Sequence, residues 1–169
     1  TDVTHASADE RARAGIGYIP QGRDVFPKLT VEQNIRMGET IRADSDETLY
    51  DQIYDYFPVL EERASQKAGT LSGGQQQMLA IARGLVGDND LLLVDEPSEG
   101  LAPQIVADVG KALLEASREI PILLVEQKLG LALDLADRFY VMDHGQIIDE
   151  GTTADVSPDD ERLRRYLSA

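Results

Sequence analysis

Apolar residues along the chain follow two patterns, one typical of strands and one typical of helices. Aliphatic runs bounded by glycine, proline or polar residues predict strands at 15–19, 91–95 and 121–125. The last two runs do not alternate with polar residues, so we expect both strands to be fully buried. Helical spacing and helix-start signals predict helices that open at Thr30 and Ser157, and others at about 46–57, 72–86, 103–119 and 129–136.

Two of these helices begin with a capping box, in which a serine or threonine is followed three residues later by a glutamine. The pairs are Thr30 with Gln33 and Ser72 with Gln75. A capping box satisfies backbone N–H groups that have no partner inside the helix, so both helix starts are predicted to the residue.

The order of the predicted elements indicates the fold class. Strands alternate with helices and are followed by a hairpin at 138–151, which is typical of an α/β domain with a largely parallel sheet. Residues 30–70 show only helical patterns, so we expect a helical subdomain there. The expected parts are therefore 1–29 (strand and loop of the core), 30–70 (helical subdomain) and 71–169 (the rest of the core).

Charge and composition narrow the classes of partner. The 169 residues carry a formal net charge of −15, which argues against nucleic acid or an anionic lipid surface as a partner. No apolar run approaches the ~20 residues that a membrane-spanning helix needs. The chain has no cysteine, and its two histidines, His5 and His144, are far apart, so no transition-metal site is expected.

The segment LLLVDEP at 91–97 carries the first candidate chemistry. Its aliphatic strand ends in Asp95 and Glu96, at the carboxyl edge where open α/β sheets bind ligands. Asp95 suits a Mg²⁺ ion held through water, and Glu96 suits the polarisation of an attacking water. A strand that simply ends in a polar turn explains the same residues, and this alternative stays open.

The segment LSGGQ at 71–75 carries the second candidate chemistry. Ser72 offers a hydroxyl, and Gly73 and Gly74 let backbone N–H groups approach an anion at the positive end of a helix. A capped helix that binds no ligand is the alternative.

LSGGQ followed by LLLVDEP, in this order and at this spacing, resembles the ATP-binding cassette (ABC) ATPases. Residues 71–75 are similar to the signature motif and residues 91–96 to the Walker B strand of that family. Gln21 is similar to the Q-loop glutamine, and SEGL at 98–101 to the D-loop. The resemblance covers essentially the whole chain. It implies a P-loop NTPase-like α/β fold: a partial parallel sheet, a helical insertion subdomain, and a C-terminal β-hairpin plus helix.

The resemblance implies catalytic and metal-binding roles for four residues. Glu96 would orient the attacking water, and Asp95 would serve the Mg²⁺ of bound ATP. Gln21 would link the metal and the γ-phosphate to the helical insertion. Gln127 would contact the γ-phosphate, so ATP and Mg²⁺ are the implied cofactors.

The resemblance also implies partners. Two subunits would dimerise head to tail, with each ATP between the P-loop of one subunit and the signature motif of the other. The residues that would contact the partner's ATP or face across the dimer are Ser72, Gly73, Gly74, Gln75 and Ser98. Transmembrane permease subunits would dock their coupling helices on residues 23–29 and the helices that follow. Phe26 and Pro27 would either form an apolar contact surface for the coupling helix or only pack within the helical insertion. The implied location is the cytoplasmic face of the cell membrane.

Gln127 narrows the branch of the family. Most ABC ATPases have a histidine at this position, whereas importers of branched-chain amino acids, and the similar urea or short-chain amide importers, commonly have glutamine. Glutamine donates a hydrogen bond but carries no positive charge. GIGYIPQGRDVFPKLTVEQNI and DEPSEGLAP resemble the same branch. The implied function is an ATPase subunit that powers uptake of branched-chain amino acids, with the urea or amide importers as the alternative.

None of the lysines lies in the P-loop pattern G-x-x-x-x-G-K-[ST], whose backbone cradles phosphates. In the family this motif lies upstream of the Q-loop, so the chain resembles the C-terminal part of an ABC ATPase subunit, truncated before the Q-loop. We expect the isolated chain to show no specific ATP binding and no turnover, and to expose apolar surface.

Three other functions compete with that of an importer subunit. ABC ATPases of DNA repair and chromosome organisation carry a long coiled coil between the Q-loop and the signature, and residues 22–70 show no sustained heptads. Exporter ATPases of the lipopolysaccharide type are disfavoured by Gln127. A non-catalytic interaction fragment is favoured only by the lack of a P-loop, and it stays open.

Overall fold

The structure is a computed structural model that describes residues 1–39 and 47–167, with the backbone alone at 47–49 and 167. By contact density the chain divides into two compact units, Thr1–Leu123 and Leu124–Ala169. The described strands are β1 (Ile16–Ile19), β2 (Leu91–Asp95), β3 (Ile122–Val125), β4 (Arg138–Asp143) and β5 (Gln146–Thr152). The described α-helices are α1 (Ala8–Arg13), α2 (Val31–Arg36), α3 (Glu47–Tyr56), α4 (Pro58–Glu61), α5 (Gly73–Leu85), α6 (Pro103–Ala116), α7 (Leu129–Leu135) and α8 (Glu161–Leu167), with 3₁₀ turns at Ala68–Thr70 and Thr153–Asp155.

Both predicted capping boxes are confirmed. The Thr30 hydroxyl accepts a hydrogen bond from the Gln33 backbone N–H over 3.1 Å, and the Thr30 N–H donates to the Gln33 side chain over 2.9 Å. At the start of α5, the corresponding distances for Ser72 and Gln75 are 3.3 and 3.0 Å. These bonds place the first residue of α5 at Gly73.

Three strands form a sheet in the order β1-β2-β3, and the boundary between the two units falls within β3. Strands β1 and β2 are parallel, with Ile16 opposite Leu91 and Ile19 opposite Val94. Because their connection runs through helices, the predicted α/β class with a partial parallel sheet is confirmed.

Helix α5 packs against one face of this sheet and forms the centre of the core. Gly84 lies so close to β1 that a Cβ added to it would be 2.4 Å from Cγ1 of Ile19. The largest side chains that are almost fully buried in the first unit belong to the sheet and to the helices around α5; they are Phe57, Ile19, Ile35, Leu60, Leu79, Ile81, Leu92, Val31, Val86, Val94 and Val109.

The prediction that the strands at 91–95 and 121–125 are fully buried is wrong. In β2, Leu92 and Val94 are buried, whereas Leu91 and Leu93 are partly exposed. In β3, Leu123 is 54% exposed. Tyr18, opposite Leu93 in the register, is 59% exposed. A purely aliphatic strand indicates that both of its faces are apolar, but it does not indicate that other elements pack on both. The expected exposed apolar surface lies on the face of the sheet that carries Tyr18 and Leu93.

Where the structure describes this region, at 30–39 and 47–70, it consists of helices and turns, as predicted, with an isolated bridge between Thr30 and Lys67. The helix predicted at about 46–57 is found as α3, and its predicted first residue lies outside the described part of the chain. Pro58 is the first residue of α4, where its missing N–H costs nothing. The division of the chain at 29 and 70 stays a prediction.

The second unit contains the predicted hairpin, in which β4 pairs antiparallel with β5. His144 and Gly145 form its turn, with φ of 44° and 78°. Helix α8 begins at Glu161, four residues after the predicted start at Ser157. Within this unit Leu163 is buried, and the Arg162 guanidinium pairs with the Asp149 carboxylate over 3.2 Å.

Among the residues that the structure describes, no helix combines the length and the apolar character needed to cross a membrane.

We expect Leu92→Ala to destabilise the first unit by about 2–5 kcal/mol, because it removes a fully buried side chain from the sheet and leaves a cavity. Leu114 on α6 is 42% exposed and is the matched control. Leu114→Ala should change the free energy of unfolding by less than about 1 kcal/mol. Urea unfolding of the 169-residue chain measures both, and equal effects would contradict the packing of β2 described above.

Candidate functional site

The carboxyl end of β2 presents two adjacent carboxylates. Asp95 is the last residue of the strand, and Glu96 follows it with a φ of 44°. This left-handed backbone conformation costs a residue with a side chain roughly 1–2 kcal/mol. The chain therefore turns sharply at Glu96, and the turn sets the direction of its carboxylate.

Gln21 holds this carboxylate together with a second one. Its side-chain nitrogen donates to Glu96 over 3.1 Å and to Glu99 over 3.0 Å. An amide nitrogen has two hydrogens, so these bonds use both and leave the amide oxygen as an acceptor. Gly22, the next residue, has a φ of 95°. The structure thus brings together Gln21 and Glu96, which the sequence had placed in one site.

Tyr18 is a member of the site that the sequence reasoning missed. Its hydroxyl donates to the Asp95 carboxylate over 3.3 Å. Desolvation, followed by the charge and hydrogen bond of Asp95, raises the pKa of the Tyr18 phenol, so it stays a donor at neutral pH. The available signal was the alternation in β1, which puts Tyr18 on the face that it shares with the side chains of Leu93 and Asp95.

The first turn of α5 presents the second candidate group of donors. The Ser72 hydroxyl accepts from Gln75 and still has its own hydrogen to donate. Gly73 and Gly74 are the first helical residues, so their N–H groups have no partner within the helix. The turn contains no acidic residue. It is therefore an electropositive helix start, as an anion would require.

Arg23 connects the two groups. A Cβ added to Gly73 would lie 2.1 Å from Nη1 of Arg23, so the guanidinium rests directly on that glycine. The Nη2 atom of the same side chain donates to the Gly100 carbonyl over a long 3.4 Å. One side chain therefore reaches both the helix start and the turn that follows Glu99.

Two predicted site residues are not brought into this arrangement. Ser98 is fully buried within the chain, so its exposure to a second subunit stays a prediction. Gln127 belongs to the second unit, where its backbone N–H is bonded to the Glu126 carboxylate over 3.0 Å. Its contact with a γ-phosphate also stays a prediction.

Comparison with known proteins identifies the family. A family model described as ABC transporter matches residues 1–99, which is more than half of the chain. The chain belongs to the ABC transporter family. The match includes the signature segment at 71–75 and the strand end at Asp95 and Glu96, which confirms the resemblance read from those motifs.

Among curated proteins, this ABC ATP-binding domain is similar to two relatives named for amino acid transport. It is 46% identical over 144 residues to the high-affinity branched-chain amino acid transport ATP-binding protein BraG of Pseudomonas aeruginosa. It is 36% identical over 154 residues to the probable branched-chain amino acid transport ATP-binding protein LivF of Archaeoglobus fulgidus. The matches take in 84% and 89% of this chain. They span only 62% and 65% of the relatives' own lengths.

Solved ABC cassettes share the fold. The ADP conformation of MJ1267, an ATP-binding cassette of an ABC transporter, superimposes with a TM-score of 0.74 at 26% identity and covers all of this chain and 74% of its own. A nucleotide-free ATP-binding cassette from an ABC transporter gives a TM-score of 0.71 at 26% identity, with 100% and 71% of the two chains covered. The P-loop NTPase-like fold class is thereby confirmed.

The donor set at the strand end fits Mg²⁺ that arrives with a nucleotide. Carboxylate, amide and hydroxyl oxygens are the ligands that this ion prefers. Among the described residues, no three histidine, cysteine, aspartate or glutamate side chains are arranged to hold a metal ion by themselves. Asp95 and Gln21 carry oxygens of this kind, and a Mg²⁺ ion beside them would need further ligands.

We expect Glu96→Gly to be more stable than Glu96→Ala by roughly 1 kcal/mol, because glycine adopts the observed φ of 44° without strain and alanine does not. The matched pair is Glu99→Gly and Glu99→Ala. Glu99 has no left-handed φ, so glycine should be the less stable replacement there. Urea unfolding of the four variants measures the difference, and the same order at both positions would contradict the strained turn at Glu96.

Proposed function

We propose that this chain is the signature-motif and Walker B part of the ATP-hydrolysing subunit of an ABC importer, and that the importer takes up branched-chain amino acids. The observation that carries the catalytic part is the shared hydrogen bonding of Glu96 and Glu99 to Gln21 at the strained end of β2. The names of the Pseudomonas and Archaeoglobus relatives support the substrate class.

Glu96 is the residue that acts on the attacking water. Its carboxylate has several acceptor positions, and Gln21 occupies one of them over 3.1 Å. A carboxylate in this place can accept a hydrogen from water and align the water oxygen for in-line attack. The hydrogen bond from Gln21 orients the carboxylate before the water arrives.

Asp95 and Gln21 orient the metal side of the site. Mg-ATP, when bound, supplies the transferable phosphoryl group and the positive charge that offsets the phosphate oxygens. Tyr18 donates to one oxygen of Asp95, and the Asp95 carboxylate would hold the metal through its water shell. Gln21 keeps its amide oxygen for the same shell, since both of its hydrogens are used.

Ser72, Gly73 and Gly74 serve the ATP of a second subunit in a head-to-tail dimer. Their hydroxyl and N–H groups stand at the open end of α5, where the helix dipole favours negative charge. Gln75 contributes through the capping box, which fixes the Ser72 side chain.

The permease subunits dock on the loop that follows Gln21, at the cytoplasmic face of the membrane. Phe26 is 44% exposed there, and Met37 at the end of α2 is 57% exposed. Pro27 packs on Gly69, whose added Cβ would lie 3.0 Å from it, so Pro27 also supports the helical region.

The 169-residue chain alone should not bind Mg-ATP with an affinity better than millimolar, because none of its lysines lies in a P-loop. Isothermal titration calorimetry of the folded chain with Mg-ATP measures this. Micromolar binding would show that these residues form a nucleotide site without a P-loop.

The gene product that carries this chain, expressed at its natural length, should hydrolyse ATP. Glu96→Gln should lower its turnover on the order of 10²-fold or more, because the amide cannot take a proton from water. Glu62→Gln, at an exposed carboxylate on the helical region, is the control and should leave turnover unchanged.

Cells with Glu96→Gln should also lose leucine uptake while they keep urea uptake. Loss of urea uptake instead would assign the importer to the urea or amide class. Absence of ATP hydrolysis in the wild-type product would favour the non-catalytic interaction fragment.

A further inference from the structure

Two arginines that the motifs leave without a role hold loop 20–29 against α5. Arg23 belongs to the loop and reaches the first residue of α5. Arg83 belongs to the last turn of α5 and reaches back to the loop. Both side chains therefore link the loop to α5, one from the loop to the start of the helix and the other from the end of the helix to the loop.

The contact of Arg23 depends on the glycine beneath it. The added Cβ of Gly73 would lie 2.5 Å from Cζ of Arg23 as well as 2.1 Å from Nη1, so a side chain here would displace the guanidinium from its observed position. A cation at the N-terminal end of a helix is disfavoured by the helix dipole. Attraction between the Arg23 guanidinium and the helix dipole therefore does not explain why Arg23 lies at the start of α5. A second attachment between the loop and the helix would explain it.

Arg83 supplies that second attachment. Its Nη2 atom donates to the Asp24 carbonyl over 2.5 Å, and its guanidinium lies 5.0 Å from the centre of the Phe26 ring. The side chain is partly buried, and burial lowers the pKa of Arg83. A cation over an aromatic ring is bound more strongly when water is excluded, and a cation in the last turn of a helix is favoured by the dipole.

Asn34 fixes the same stretch of loop from the side of α2. The fully buried Asn34 amide accepts from the Phe26 N–H over 2.8 Å and donates to the Phe26 carbonyl over 3.0 Å. The backbone at Phe26 is thus rigidly placed, and Arg83 connects α5 to a fixed point.

We propose that Arg23 and Arg83 are positioning residues that form an arginine clamp, which fixes loop 20–29 to both ends of α5. The clamp sets where Gly73 and Gly74 present their N–H groups, and this purpose rests on the proposed function. Gly22, with a φ of 95° and no atom within 4 Å of an added Cβ, separates the clamp from Gln21. The loop and α5 therefore move together, and rotation at Gly22 lets Gln21 stay with Glu96 and Glu99.

The first test follows the backbone amide signals of Gly73 and Gly74 by NMR in the ¹⁵N-labelled 169-residue chain, without nucleotide. Arg23→Ala should shift both signals because it removes a direct contact. Arg83→Met should shift them too, although Arg83 lies ten residues away along α5, about 15 Å at 1.5 Å per residue. Arg118→Met, at an exposed arginine after α6, is the matched control and should shift neither.

Shifts from Arg83→Met that stay confined to the neighbourhood of Asp24 and Phe26 would overturn the clamp. If Arg83→Met does not fold, as judged by circular dichroism, Arg83→Lys takes its place. Lysine keeps the charge and loses the planar contacts, so it should shift the same glycine signals in the same direction.

The second test is a double-mutant cycle on urea unfolding. Gly73→Ala should displace the Arg23 guanidinium and lose its contact with the start of α5. It should therefore lower the urea midpoint more in the wild-type background than in an Arg23→Ala background, where that contact is already absent. The same shift in both backgrounds would show that the guanidinium does not rest on Gly73 in solution, and would overturn the clamp.

A third measurement separates this inference from the proposed function. In the natural-length product, Arg23→Ala should lower the turnover number for ATP at least tenfold while the KM changes less than about threefold. Positive NMR and unfolding results without ATP hydrolysis in the wild type would reject the ATPase assignment and keep the clamp as a structural link. Wild-type hydrolysis with an unchanged turnover number in Arg23→Ala would reject the clamp as a positioning device and keep the ATPase.

Discussion

Helix α5 approaches both the sheet and α2 at distances that ordinary side chains would forbid. A Cβ on Gly84 would meet Ile19 at 2.4 Å, and a Cβ on Gly38 would meet the Arg83 carbonyl oxygen at 1.9 Å. Both contacts lie near the C-terminal end of α5, which is therefore fixed against two neighbours at once. Helix α5 is 13 residues long and is capped by Ser72 at its other end. Once the C-terminal end is fixed, the direction of the helix axis determines where this N-terminal end lies. Packing three turns away thus sets the course of the helix toward its glycine-rich start, where Arg23 makes the local contact.

Features that depend on neighbouring residues in the sequence could be predicted from it. The capping boxes at Thr30 and Ser72 need only a hydroxyl and a glutamine three residues apart, and the structure has both. The aliphatic run at 91–95 predicts strand β2 with its correct bounds, and Asp95 is its last residue. Coverage of that strand could not be predicted, because burial of its second face is decided by elements distant in sequence.

The polar residues that were missed show the same limit. Arg83 stands in the apolar stretch LAIARGL and Asn34 in VEQNIR, where a polar side chain on a buried helix indicates a specific partner. Either residue could have been singled out on that ground, but its partner could not be named, since Asp24 lies 59 positions from Arg83. Arg23 gave no signal, because an exposed arginine in a loop is ordinary. The left-handed turn at Glu96 gave none either, since glycine is the residue that usually marks such a turn.

The two sides of the candidate site have opposite electrostatic character, and one loop touches both. Tyr18 and Gln21 are neutral donors, so they orient Asp95, Glu96 and Glu99 without cancelling their charge, and this side favours a cation. The start of α5 adds a helix dipole and Arg23, so that side favours an anion. Gln21 and Arg23 are separated by Gly22 alone. A ligand that carries a divalent cation beside phosphate oxygens would act on both neighbours of this glycine at once. The short spacing of Gln21, Gly22 and Arg23 therefore gives a physical reason why the loop, rather than either motif alone, would respond to such a ligand.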